Sequence, residues 1–404
     1  MSISSIIIDP MGDTLITLPH LTELSIECDS LTAPSEKRDD CAVNAYPEPS
    51  PIKENPSSAK KTTEIRSETH FQVSKKHLTI ASPRAQAMFA GGFKESIPQD
   101  DGLCHWNFEP IFDPEAFEIV MKIIHGKTRM LPQKVTFKML ASISTIVDDL
   151  QCHDATWFIV RQWLSHIPQN IPNAICKDLA RWILISFVFE DSVSFRLSTQ
   201  QAILHSDGPM PNFDLPIHPL IIDTIDSIRQ DTLEKLVEHS HALMNGLCRK
   251  EIGCNFGCRS MLLGALIQEM NSGQLYSPRP VKPFPGLSVS PTIQSLRHFE
   301  SPDYFCAEEV RSNMTPRETW RFTENSYAAS TFKSRKPGAI QGIENKASKI
   351  PERLVYHTCS LGTLLHPQID ELHRGVQGLD IYFMNRMRTS RVLEGLARRV
   401  TTSL

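Results

Sequence analysis

Apolar and polar residues alternate at Phe71 and Val73 and again, past Lys75-Lys76, at Leu78 and Ile80, a period of two that predicts a half-buried strand and its exit. Ser82 then precedes Pro83: a side-chain oxygen able to accept from free N–H groups, followed by a residue whose φ suits the first helical turn. A helix is expected from there, with Ala85, Met88 and Phe89 on one face and Gly91-Gly92 supplying the positive φ that ends it. Upstream, the apolar runs Ser5 to Asp9 and Thr14 to Leu18 flank the turn formers Asp9-Pro10-Met11-Gly12-Asp13, which predicts a hairpin. Downstream, Leu103 to Phe108 reads as a strand. Asp113-Pro114-Glu115 repeats the cap, and Phe117, Val120, Met121 and Ile124 mark a helix face closed by Gly126. Thr136 to Leu150 and Ala155 to Ile167 are two further helices, the second with Trp157, Val160, Leu164 and Ile167 at helical spacing.

Beyond Pro172 the pattern is wholly helical. Ile175, Leu179, Trp182 and Ile183 share a face, a shorter helix starts at Ser192, and Pro219 to Cys248 is a long amphipathic segment striped by Leu233, Leu236, Val237, Leu243, Met244 and Leu247. The stripe does not sustain the heptads of a coiled coil, so packing within the chain is expected. Cys258 to Met270 is another helix; Pro278, Pro280, Pro283, Pro285 and Pro291 make an extended strap; Phe299 to Pro351 is polar and aperiodic. Order returns from Arg353, ending in a helix with Val392, Leu393, Leu396 and Val400. Between the first strands, Ala33 to Thr63 is rich in Pro, Ser, Lys and Glu and reads as a disordered insert. Its Ser50-Pro51 reads as ordinary loop sequence rather than a phosphorylation site.

The stretch Phe71 to Ser96, with its His-Leu turn, Ser82-Pro83 cap and Gly-Gly-Phe-Lys-Glu-Ser exit, resembles the core of the BTB (POZ) domain, in particular that of the fungal BTB-domain proteins. The Asp-Pro-Met-Gly-Asp opening is similar to that family's entry into its first strands. The resemblance covers the first third of the chain best. It implies an α+β fold, a small sheet flanked by helices over 1–168, and the residue patterns above add the disordered insert at 33–63, then a mostly α-helical region: a helical domain over 172–277, a Pro-rich and polar, partly disordered linker over 278–352 and a C-terminal helical segment over 353–404.

Composition supports a large soluble chain without changing this outline. At 404 residues the chain exceeds the usual domain of about 100–200 residues, and 28 prolines point to irregular connections. A net charge of −4 invites neither nucleic acid nor an anionic membrane. The most apolar run, Leu179 to Phe189, contains Arg181 and falls short of the ~20 residues a bilayer requires. Ten scattered cysteines without a C-x-x-C pair, and an N-terminus without a secretory signal, fit a reducing compartment, so an intracellular protein of cytoplasm or nucleus is expected.

Catalytic signatures are absent: no G-x-S-x-G elbow, phosphate loop, dinucleotide fingerprint or H-E-x-x-H occurs, and the two S-x-x-K matches, at Ser57 and Ser330, fall in polar stretches unable to hold a rigid site. A non-enzyme without a cofactor is expected. Cys248, Cys254, Cys258, His357 and Cys359 offer sulfur and imidazole for a structural zinc, but the spacing is not that of a standard finger and plain packing is the favoured reading, with no metal. Arg386, Arg388, Arg391, Arg398 and Arg399 read as a solvated face.

In the wider BTB class a hydrophobic residue, any residue, then Glu after this helix contributes to the contact with a cullin, which Phe93-Lys94-Glu95 matches. The resemblance therefore implies a protein-binding module with Phe93 as apolar anchor and Glu95 as polar partner, a substrate adaptor for a cullin-based ubiquitin ligase. The local alternative is that Phe93 packs back on its own domain and Glu95 is solvated. The other functional reading is a transcription-linked scaffold that self-associates or binds partners without a cullin. Many dimers of the class exchange a leading strand and helix, and this sequence opens on the expected hairpin at Ser5, so a monomer, or a homodimer through another face, is expected.

Overall fold

The computed structural model describes residues 3–22, 65–302, 305–307, 354–356 and 359–387. The expected insert at 33–63, Ser50-Pro51, both S-x-x-K matches, His357, the polar run from 308 to 353 and the last helix with Val392 and Val400 lie outside the described residues. The chain forms two compact units, one of residues 1–227 with 377–404 and one of residues 228–376. The expected division at 168–172 thus falls inside the first unit. Both units are mixed α and β, with most described residues in helices.

The first unit opens with β1 (Ile3–Ile7), β2 (Thr14–Thr22) and β3 (Ile65–Val73), and β4 (Cys104–Asn107) completes a four-stranded sheet in the order β1-β3-β2-β4. The expected β1–β2 hairpin does not form. β1 instead pairs in parallel with β3, and β2 pairs antiparallel with β3 on its other side. The turn formers still do their work: they carry the chain over the end of β3, where Ile8 and Asp9 donate their N–H groups to the Gln72 carbonyl at 3.0 and 3.1 Å. The Gln72 side chain returns a bond to the Gly12 carbonyl at 3.0 Å. Glycine is required at this crossing, because a Cβ on Gly12 would lie 2.6 Å from the Val73 carbonyl oxygen.

The expected strand exit after Val73 is a helix, α1 (Lys75–Ala81). Alternation failed there because Leu78 is buried while Ile80 is 76% exposed, the contrast of two helix faces rather than of one strand face. Asp13 caps α1 by accepting from the Lys75 N–H at 2.7 Å. At α2 (Pro83–Ala90) the expected cap forms: Ser82 Oγ accepts from the Ala85 N–H at 3.0 Å and donates to the Leu150 carbonyl at 2.5 Å. Gly92, at φ +67°, supplies the left-handed residue after it.

Next come α3 (Pro114–Ile124), α4 (Phe137–Leu150) and α5 (His153–Leu164). Asp113 accepts from the Ala116 N–H at 2.9 Å as expected, and Phe117, Val120, Met121 and Ile124 are all buried. On α5 the expected face is displaced. Thr156, Val160 and Trp163 are buried, whereas Trp157 and Phe158 are exposed, with the Arg161 guanidinium 4.9 Å over the Trp157 ring. Thr156 can face inward because its hydroxyl donates to the backbone carbonyls of Cys152 and His153, at 3.2 and 3.1 Å. The apolar run anticipated as a buried helix is α6 (Lys177–Val188), which packs with α4 and with α7 (Ser192–His205).

His125 closes α3 with a fixed tautomer. The Ser74 N–H donates to its Nε2 at 2.9 Å, and its Nδ1–H donates to the Met121 carbonyl at 2.8 Å, so the ring is neutral with its proton on Nδ1. Burial holds its pKa below the ordinary histidine value; the Met121 bond opposes that, and His77, stacked 4.9 Å away, adds to it. Unfolded, the ring titrates near 6.5. The group's contribution to stability is therefore full above about pH 6.5 and is lost as pH falls through the lower folded value. Urea unfolding of the wild type between about pH 7.5 and about pH 5.5 should show this loss, and His125→Gln should flatten it; an unchanged slope in the variant would assign the loss to other groups.

α8 (Pro219–Cys248) begins in the first unit and continues as the first helix of the second, which also holds α9 (Phe256–Ser272), α10 (Val289–Arg297), the short antiparallel pair β5 (Phe305–Ala307) and β6 (Leu354–Tyr356), and α11 (Leu361–Gly375). The stripe of Leu233, Leu236, Val237, Leu243 and Leu247 is buried within the chain. The proline strap is ordered over 278–288, and Pro291 lies inside the first turns of α10 rather than in an extended segment. What orders the strap is Arg229, fully buried on α8, whose guanidinium donates to the carbonyls of Pro283, Phe284 and Leu287 at 2.8, 3.2 and 2.9 Å. Lys282 adds exposed ion pairs to Asp231 and Glu234 at 2.6 and 2.9 Å. No helix among the described residues is long and apolar enough to cross a membrane.

Candidate functional site

Two places in the chain gather side chains whose exposure or chemistry packing alone does not require, one in each unit. In the first unit, α2 runs out through Gly91-Gly92 into a single 3₁₀ turn over Lys94–Ser96. The turn is tightly held: Ser96 donates to the Phe93 carbonyl through both its N–H, at 2.9 Å, and its hydroxyl, at 2.6 Å. Its own carbonyl accepts from Lys75 Nζ at 3.4 Å. Backbone fixed in this way presents its side chains in one arrangement, which lowers the entropy lost on binding. Phe93 remains 57% exposed, with one edge of its ring over Gly91, where a Cβ would come within 2.5 Å of it. Glu95 is half-buried. A rigid loop thus displays a large apolar ring with a carboxylate two residues on, the pairing of anchor and polar neighbour common at interface centres.

In the second unit, Cys254, Cys258 and Cys359 converge, with their sulfur atoms all within 4.8 Å of one another. Cys258 lies in the first turn of α9, where its N–H donates to the Asn255 side chain at 2.8 Å. Cys254 is in the loop that leads there from α8, and Cys359 immediately precedes Ser360, whose hydroxyl accepts from the Thr363 N–H at 3.1 Å to cap α11. Burial raises the Cys254 thiol to about 11, helped by the Cys258 thiol and by the charges of Cys258 and Cys359; burial and Cys258 likewise raise Cys359. Cys254 is exposed, Cys359 half-buried and Cys258 buried.

No protein-family model, curated protein or solved structure matches the chain. The reading of both places therefore rests on their own geometry.

Of the sulfur and imidazole ligands anticipated from sequence, the fold brings together Cys254, Cys258 and Cys359, leaves Cys248 exposed at the end of α8 outside the group, and His357 lies outside the described residues. Plain packing accounts for Cys258, which is buried, and for cysteines outside the group. Cys152, at the start of α5, is enclosed in the core, and burial pushes its thiol up to about 12. Of the arginines expected on a basic face, only Arg386 is among the described residues. Sequence reasoning missed Arg229, although a lone Arg one turn before Leu233 on an apolar stripe was a visible signal, and it missed the exposure of Trp157 and Phe158.

Proposed function

We propose that the chain is a protein-binding module of the BTB (POZ) kind that acts as a substrate adaptor by engaging a cullin through Phe93 and Glu95. The observation that carries this reading is the exposed Phe93 on a hydrogen-bonded turn, where burial against a partner would remove most of a phenyl ring from water. The order of elements around it supports the same reading: an antiparallel pair β2–β3, the helical pair α1–α2, the strand β4 beside β2, then α3, α4 and α5. Phe93 would fill an apolar pocket, and Glu95 would accept a charge-assisted hydrogen bond at its rim.

The scaffold alternative has its own observation in the exposed Trp157 and Phe158 on α5, since large apolar rings left in solvent suit self-association or a partner other than a cullin. Affinity purification of the full chain followed by mass spectrometry distinguishes the two. The adaptor reading expects cullin peptides with the wild type and their loss with Phe93→Ala/Glu95→Ala. Capture that contains no cullin and depends instead on Trp157 and Phe158 would replace it with the scaffold reading.

A further inference from the structure

The three sulfur atoms come from two segments far apart in sequence, and three local features form the place where they meet. Gly253, at φ +91°, lets the backbone curl against the group: a Cβ there would lie 2.7 Å from Arg259 Cγ and 3.5 Å from Cys258 Sγ. Asn255 fixes the start of α9, and Ser360 with Thr363 fixes the start of α11 through a reciprocal capping box, while the Leu361 N–H donates to Ser301 Oγ at 2.7 Å. Two helix N-termini therefore flank the cluster, and their capping bonds fix the backbone that carries Cys258 and Cys359.

Thiolates around a tetrahedral zinc, at about 2.3 Å from the metal, lie just under about 4 Å from one another, so sulfurs within 4.8 Å need only a small inward movement to share an ion. We propose that Cys254, Cys258 and Cys359 bind one zinc ion, with water as fourth ligand on the exposed Cys254 side, and that this ion ties the start of α11 to the start of α9. Binding exchanges three thiol protons, released to solvent, for one divalent cation, and no electrons move. The ion holds the loop before α9 against the start of α11, with its open position on the exposed Cys254 side.

The test uses the full chain, purified without a histidine tag from zinc-supplemented medium. Metal analysis should find about one zinc per chain in the wild type and in Cys248→Ser, whose thiol stands outside the group, and about tenfold less in Cys254→Ser and Cys359→Ser. Cobalt exchanged for zinc should give the absorption of tetrahedral thiolate coordination, with its sulfur-to-metal charge-transfer band. Cys254 is exposed, so its serine variant keeps the packing of the unit, and circular dichroism of that variant confirms that a loss of zinc is not a loss of fold. Wild type without zinc above the level of the Cys254→Ser variant would overturn the assignment, as would equal loss in Cys248→Ser. A disulfide among the three cysteines in freshly isolated, metal-free protein would overturn it too and make the cluster a redox pair with a bystander.

Discussion

Arg229→Ala is expected to destabilise the second unit by about 3–5 kcal/mol, because it strips three strap carbonyls of their donor and leaves a large void in the same place. The guanidinium is wholly buried and reaches Pro283, Phe284 and Leu287 at once. Hydrogen exchange should locate the effect: amides of the strap and of α10 should lose protection in the variant while those of the four-stranded sheet keep theirs. Arg229→Lys should recover only part of the loss, since an ammonium cannot reproduce the planar fork that spans separate acceptors. A loss of less than about 1 kcal/mol in Arg229→Ala would mean that the strap is held by its apolar contacts, Phe284 above all, and that the three hydrogen bonds are replaceable by water.

Phe117→Ala should be the most damaging single truncation in the first unit, again about 3–5 kcal/mol. Phe117 is the ring on which the sheet and α3 meet, with centroids 5.1 Å from Phe71 on β3, 5.5 Å from Phe108 and 6.1 Å from Phe112. Removing it deprives three other rings of a neighbour and leaves an apolar cavity among them. Phe117→Leu keeps most of the volume and should cost well under half as much, so urea unfolding of the two variants separates cavity formation from mere loss of aromatic character. Equal costs would point to ring geometry, not volume, as what the cluster requires.

The caps were the most legible part of this chain, because capping depends on residues within a few positions of each other. Ser82-Pro83 and Asp113-Pro114 each start a helix at the residue their chemistry demands. Pairing of strands was less legible for the opposite reason. Turn formers after β1 announce a reversal but do not say which strand lies beyond it, and β3, separated from β2 by the stretch after Thr22, takes the place between them. Lys75 to Ala81 was misread because two apolar residues two positions apart satisfy a strand, while a helix of seven residues offers too few turns to reveal its own period. On α5 the apolar residues Trp157, Phe158, Val160, Trp163 and Leu164 permit more than one face, and the choice made by the fold rests on a polar residue, Thr156, that no hydrophobic pattern would nominate. The candidate sites divide in the same way. Phe93 and Glu95 are adjacent in sequence and could be named from it. Only folding reveals that Cys359 joins Cys254 and Cys258 and that Cys248, which is nearer to them in sequence, does not.

The proposed role of the turn after α2, as a protein-binding anchor, rests on Phe93 and Glu95. Isothermal titration of the purified full chain with a purified cullin is the decisive measurement. Wild type should bind measurably, Phe93→Ala should lose about 2 kcal/mol or more and Glu95→Ala less, while substitutions of Trp157 should change nothing. Absence of binding by the wild type, or equal affinity of the wild type and the Phe93→Ala/Glu95→Ala variant, would contradict it.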